Sequence, residues 1–137
     1  MSYGMSSALQ AAVYQALISD TDLTAIVGAA VFDALPSGTL PPLYVVLGAE
    51  QVRDASDKSG GGALHEFTVT IVTETAGFAT AKSAAAAVSD ALVDASLTLS
   101  RGTLVALTFH KAKAARVGTG DVRQINLIFR ARLADDV

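Results

Sequence analysis

Cysteine and tryptophan are both absent from this chain, aromatic residues make up 6% of it, and charged residues only 17%. Without cysteine there are no disulfides, no zinc-thiolate centres and no thiol nucleophile, a usage compatible with a reducing compartment. The two histidines, His65 and His110, stand alone in strand-like segments. Neither has a second ligand at metal-binding spacing, so both read as ordinary strand positions. No stretch approaches the roughly 18 uninterrupted apolar residues of a membrane span, and MSYGMSSALQ lacks the basic start and apolar run of a signal peptide. The expectation is a soluble protein of the cytosol where it is made, without a membrane partner.

What remains is 137 residues, 51% of them hydrophobic, with no break in composition. This fits one domain over residues 1–137, large enough for a core without staples. Charge is sparser than the roughly 25% of an average soluble domain, which hints that other subunits cover part of the surface.

The most telling stretch is ALHEFTVTIVTETAGFATAKSAAAAVSDALVDA, residues 63–95. His65, Phe67, Val69 and Ile71 alternate with Glu66, Thr68 and Thr70, the period of a half-buried strand. The pattern breaks at Ala76-Gly77. Phe78, Ala81, Ala85, Val88 and Leu92 then mark the buried stripe of a helix over 78–95.

Upstream, Leu9, Ala12, Val13, Ala16 and Leu17 predict a helix over 6–18, with Ser6 or Ser7 as its cap. A short helix through Leu23, Ile26 and Val27 follows, with Asp20 or Asp22 at its start and Gly28 at its end. Val31-Phe32-Asp33-Ala34 reads as a brief extended piece, and Pro41-Pro42 holds the chain extended. The segment 43–50 is apolar on both faces in its first half, which predicts a strand inside a sheet. Residues 51–62, ending SGGG, read as a mobile loop.

Two alternating segments, 103–117 and 121–134, joined by Gly118-Thr119-Gly120, predict a C-terminal β-hairpin. Ile125, Leu127, Phe129, Ala131 and Leu133 share one parity, which ends in Arg123. Val105, Leu107 and Phe109 share another, which continues into Lys111 and Lys113. Both strands thus lose their apolar face towards the turn, and the tip should project beyond the core. The fold class is α+β: a single mixed or antiparallel sheet of about four strands with helices packed on one face and a C-terminal hairpin.

Catalytic groups do not converge. Gly60-Gly61-Gly62 and Gly118-Thr119-Gly120 lack the strand-to-helix setting and lysine of a phosphate loop, and read as linker and turn. Asp90 and Asp94 lie four apart on a helix's polar face, and Asp135-Asp136 is a chain end expected to fray.

Charge is distributed unevenly. Residues 1–100 carry three bases, Arg53, Lys58 and Lys82, against ten acids; residues 101–137 carry seven bases, Arg101, Lys111, Lys113, Arg116, Arg123, Arg130 and Arg132, against three acids. Three readings stand open: solvated strand faces without a partner, head-to-tail contact between copies, or binding to nucleic acid phosphates. A pI near 5.1 and the lack of interleaved aromatics speak against a dedicated nucleic-acid binder.

The run VFDALPSGTLPPLYVVLG, the loop, FTVTIVTETAGFATAKSAAAAVSDAL and the closing strand VRQINLIFRARL resemble the tail terminator, or tail completion, family of long-tailed bacteriophages and gene transfer agents. The resemblance covers nearly the whole chain, most specifically at residues 67–92 and in the closing strand. It implies a small α+β subunit made in the bacterial cytoplasm and located at the head-proximal end of the tail. Copies would form a hexameric ring that caps the tail tube, stops its polymerisation and joins a head-completion or stopper protein. DNA would pass through the lumen without sequence-specific binding. The family carries no catalytic residue and no cofactor. Candidate interface residues are Lys111, Lys113, Arg116 and Arg123 at the hairpin, with Arg53 and Lys58 in the loop. The alternatives are a head-tail connector or stopper of the same assembly, or a small ligand-binding domain or enzyme.

Overall fold

The computed structural model describes residues 3–58, 60–74, 78–118 and 120–135. The expected break at Ala76-Gly77, the middle of the 118–120 turn and Asp136 fall outside them. Along the chain lie α1 (Ser6–Ile18), α2 (Thr21–Val27), β1 (Val31–Phe32), β2 (Leu43–Asp54), β3 (Gly61–Thr73), α3 (Ala79–Leu92), β4 (Thr103–Arg116) and β5 (Arg123–Asp135). The strands make one sheet in the order β1-β2-β3-β5-β4. β1 runs parallel to β2, and the remaining pairs are antiparallel. The fifth strand is the two-residue piece at Val31 and Phe32, too short to stand out as periodicity.

All three helices lie on one face of the sheet. Odd positions of β3 and β5 point to them: Phe67, Val69, Ile71, Ile125, Leu127, Phe129, Ala131 and Leu133 are buried there with Leu9, Val13, Leu17, Val88 and Leu92. Phe67 stacks on Phe129 at a centroid distance of 5.7 Å, and Phe109 meets Phe129 edge-on at 6.0 Å. In α3 the alanines Ala81, Ala84, Ala85 and Ala87 are all buried, so the helix lies close over β3 and β5.

Of the three helices only α2 carries a side-chain cap. Asp20 caps α2 by accepting a 2.9 Å bond from the Leu23 amide, and Gly28 ends it at φ +61°. Neither Ser6 nor Ser7 caps α1; the cap position is Met5, with no side-chain bond. The Ser6 hydroxyl donates instead to Glu50 Oε1 at 2.7 Å.

Three expectations change in the sheet. Residues 51–62 are strand at both ends: β2 runs on to Asp54 and β3 begins at Gly61, leaving a short turn. That turn is tied by Ala55 N to Gly62 O at 3.0 Å and by Gly62 N to Ser56 Oγ at 3.1 Å. Asp54 accepts the Ser56 hydroxyl at 2.6 Å, which holds its carboxyl below the usual range. Polar, glycine-rich composition hid a hairpin whose stability comes from side chains bonding to backbone. Secondly, β2 is interior only at Val45 and Val46, the two positions paired with β1; beyond them it is an edge.

The third change concerns β4. Its register with β5 shifts between Leu104 and Ala106 and again between Phe109 and Lys111. Each bulge inserts a residue and reverses parity. Leu104, Leu107 and Phe109 therefore share the helix side with their partners Leu133, Ala131 and Phe129, while Lys111 and Lys113, opposite Ile128 and Asn126, lie on the other face. Val105 falls in a bulge and is 58% exposed.

The chain end is not frayed as far as Asp135, which pairs with β3 and takes a 2.9 Å ion pair from Arg101.

Candidate functional site

Two features leave this subunit unfinished on its own: a bare outer strand and a sheet face without a covering layer. β4 is the last strand, and from Thr108 to Ala114 every residue but His110 is exposed. Phe109 is 46% exposed despite packing on Phe129. Asp94 N bonds Leu107 O at 3.0 Å, so the chain after α3 occupies the outer edge of β4 at that residue. A long exposed edge of this kind is a template for pairing with another chain.

The uncovered face is built by even positions of β3 and β5 and their partners. It presents Tyr44, Val46, Gln51 and Arg53 from β2, Leu64, Glu66, Thr68, Thr70 and Val72 from β3, and Gln124, Asn126, Ile128, Arg130 and Arg132 from β5. Thr70 donates to Asn126 Oδ1 at 2.8 Å, and Gln124 Nε2 donates to the same oxygen at 3.2 Å. Arg130 forms a 3.1 Å ion pair with Glu66 and lies 3.2 Å from His110 Nε2, which accepts from it. A shallow depression of about 540 Å³ lies between Gln51, Arg53, Leu64, Glu66 and Arg130.

The candidate residues divide between the two ends of the sheet. Arg116 and Arg123 sit opposite each other at the β4-β5 tip, on the helix side. Arg116 donates to Gly120 O at 3.2 Å, and Arg123 donates to Asp121 O at 3.0 Å while its guanidinium lies 5.4 Å from the Phe78 ring centre. Both thus brace the tip as well as charging it. Lys58 is exposed in the β2-β3 turn, at the opposite end. Arg53, Lys111 and Lys113 share the uncovered face.

Arg130 and Arg132, among the bases of the last strand, also lie on that face. Their parity opposite to Phe129, Ala131 and Leu133 was the available signal.

On the helix side, His65 is buried at 0% exposure and its Nδ1 lies 3.0 Å from Glu50 Oε2. Glu50 Oε1 also accepts from the Tyr3 and Ser6 hydroxyls, each at 2.7 Å. Burial pushes the Glu50 carboxyl up, but the bonds from Ser6, His65 and Tyr3 outweigh it and hold the group below its ordinary value. His65 Nε2 is buried and has no hydrogen-bond partner. This cluster pins the start of α1 to the bulge in β2. Among the described residues no three acids or histidines gather as a metal site, and no helix is long and apolar enough to cross a membrane.

A two-layer α+β subunit with an open edge, an open face and two charged ends fits the class of assembly subunits. The family described as Tail completion protein gp17 matches residues 11–134. The chain belongs to that family, and as a member is a structural component of a phage-type tail. A chain in the solved "Virion of native gene transfer agent (GTA) particle" is similar at 60% identity and TM-score 0.93, over 97% of this chain and 99% of that one. No curated protein matches.

Proposed function

We propose that this chain is a tail terminator of a phage-like particle, acting through surfaces and not through catalysis. Six copies associate head to tail into a ring, as one domain each. The ring caps the head-proximal end of the tail tube, stops its polymerisation, and offers its other side to a head-completion or stopper protein. DNA passes through the lumen.

The family match over nearly the whole chain carries this reading. The structure supports it with two dissimilar ends about 40 Å apart, the length of the 13-residue β3: the Lys58 turn at one, the Arg116 and Arg123 tip at the other. A terminator has two different axial neighbours, and unlike ends suit unlike partners. The β4 edge, with Phe109 and Val105 exposed, is the lateral contact to the next subunit. Such a contact is heterologous and closes only if the rotation permits.

The test is removal of the gene product from particles. Tails of uncontrolled length and unjoined heads, seen by electron microscopy, are expected. Tails of normal length joined to filled capsids would overturn the reading, and capture of a portal-side adaptor in place of the tube protein would make the chain a stopper.

A further inference from the structure

Net charge conceals how the charges are arranged. Of the strand positions on the uncovered face, five are cationic: Arg53 on β2, Arg130 and Arg132 on β5, and Lys111 and Lys113 on β4. One, Glu66, is anionic. Of the exposed acids, Asp22, Asp90 and Asp94 lie on or just after the helices, Asp33 follows β1, and Asp54, Asp57 and Asp121 lie at the two hairpin turns, none of them on this face. Arg130 is neutralised by Glu66. Arg53, Lys111 and Lys113 form no ion pair among the described residues.

Register fixes where these cations lie. Arg53 pairs with Leu64, which pairs with Arg132; Glu66 pairs with Arg130; Lys111 and Lys113 pair with Ile128 and Asn126. They form a diagonal band crossing four strands from β2 to β4, about 15 Å wide at a strand spacing of about 4.8 Å. Between and beside them lie the hydrogen-bonding groups Gln51, Thr68, Thr70, Thr108, Gln124 and Asn126, with the aliphatic Leu64 and Ile128 among them.

We infer that this face is a sequence-independent contact surface for the phosphate backbone of duplex DNA. Lysine and small polar residues in a flat band suit phosphates, which need charge and donors and no deep pocket. A protein partner would call for an aromatic anchor with lysine depleted at its centre, whereas Tyr44 lies with Phe32 at the β1-β2 edge and the band's aliphatics, Leu64 and Ile128, are flanked directly by Arg53, Arg132 and Lys111. Single strands would call for stacking platforms, which the band lacks. The inference deepens the terminator reading, because it turns the helix-free face towards the lumen. The face nevertheless exists on each subunit and can be tested without a ring.

The experiment uses the purified full chain and a fluorescein-labelled duplex of arbitrary sequence, with anisotropy measured between about 50 and 200 mM salt. Mass photometry of the same samples follows ring formation. Wild type is expected to bind with a steep salt dependence. K111E/K113E and R53E/R132E should each weaken binding at least about tenfold and flatten the log-log salt slope by about 2, for two lost phosphate contacts. K82E, a reversal on α3, should leave binding unchanged. Binding by the open-face variants equal to wild type, or no binding by wild type at the low salt, overturns the inference. So does loss of rings by either open-face variant where wild type forms them, since the face would then be a contact between copies. Loss of DNA binding with no rings from any sample would sustain the inference while counting against the ring.

Discussion

Glu50 and His65 illustrate how a single polar pair can decide a local structure. In the sequence Glu50 looks like the polar end of a strand and His65 like one more alternating position. The chain folds them together because the β2 bulge after Leu47 brings Glu50 onto the helix side, opposite Phe67 and next to the buried His65. The carboxylate then recruits Tyr3 and Ser6, so α1 loses its serine cap and gains a tether. Because the folded-state value of Glu50 is depressed, its contribution to stability is complete above the unfolded value and is lost as pH falls through the lower folded one. Calorimetry should therefore show the melting temperature falling on acidification below about pH 4.5, the ordinary value of the group. Glu50→Gln should cost about 1.5 to 3 kcal/mol at neutral pH, the range for charge-assisted bonds, and reduce the acid-dependent part of the fall. An unchanged acid profile in the variant would assign the loss elsewhere.

Elements were legible where their burial was one-sided. The α3 stripe and the odd parity of β5 could be read directly, since each rests on a face covered by one neighbour. The β2-β3 hairpin could not, because its turn is held by Ser56, Asp54 and backbone, and not by an apolar pattern. Hydrogen exchange should find the Ala55 and Gly62 amides protected, and Ser56→Ala should lower the protection of Gly62 specifically. The connection into β4 turns at Gly102 with φ +81°, where an added Cβ would lie 2.5 Å from Met5 Sδ and 2.9 Å from Ala134 O. Gly102→Ala combines a left-handed strain with a backbone clash, and should cost about 1 to 3 kcal/mol by thermal unfolding. Phe129, at 0% exposure beneath Phe67 and Phe109, should cost about 3 to 5 kcal/mol as alanine.

At the scale of the whole molecule the candidate site is a set of surfaces, and its legibility depended on topology. The basic bias of the last third was visible in the sequence, but the sheet order β1-β2-β3-β5-β4 brings Arg53, from the acidic part of the chain, onto the same face as Lys111, Lys113 and Arg132. The same order leaves β4 outermost. Phe109→Ser should leave a folded subunit, because the ring is already 46% exposed, and it should abolish lateral association in sedimentation or electron microscopy. Rings of wild-type stability from that variant would move the lateral contact off this edge.

Local periodicity was enough to determine an α+β chain with a one-sided core and a closing hairpin, because each depends on residues close together along the chain. Which face the lysines occupy was decided only in three dimensions. Each bulge in β4 adds one residue to one strand, and the resulting half-turn of parity is set by the partner strand, to which the sequence of β4 alone carries no reference.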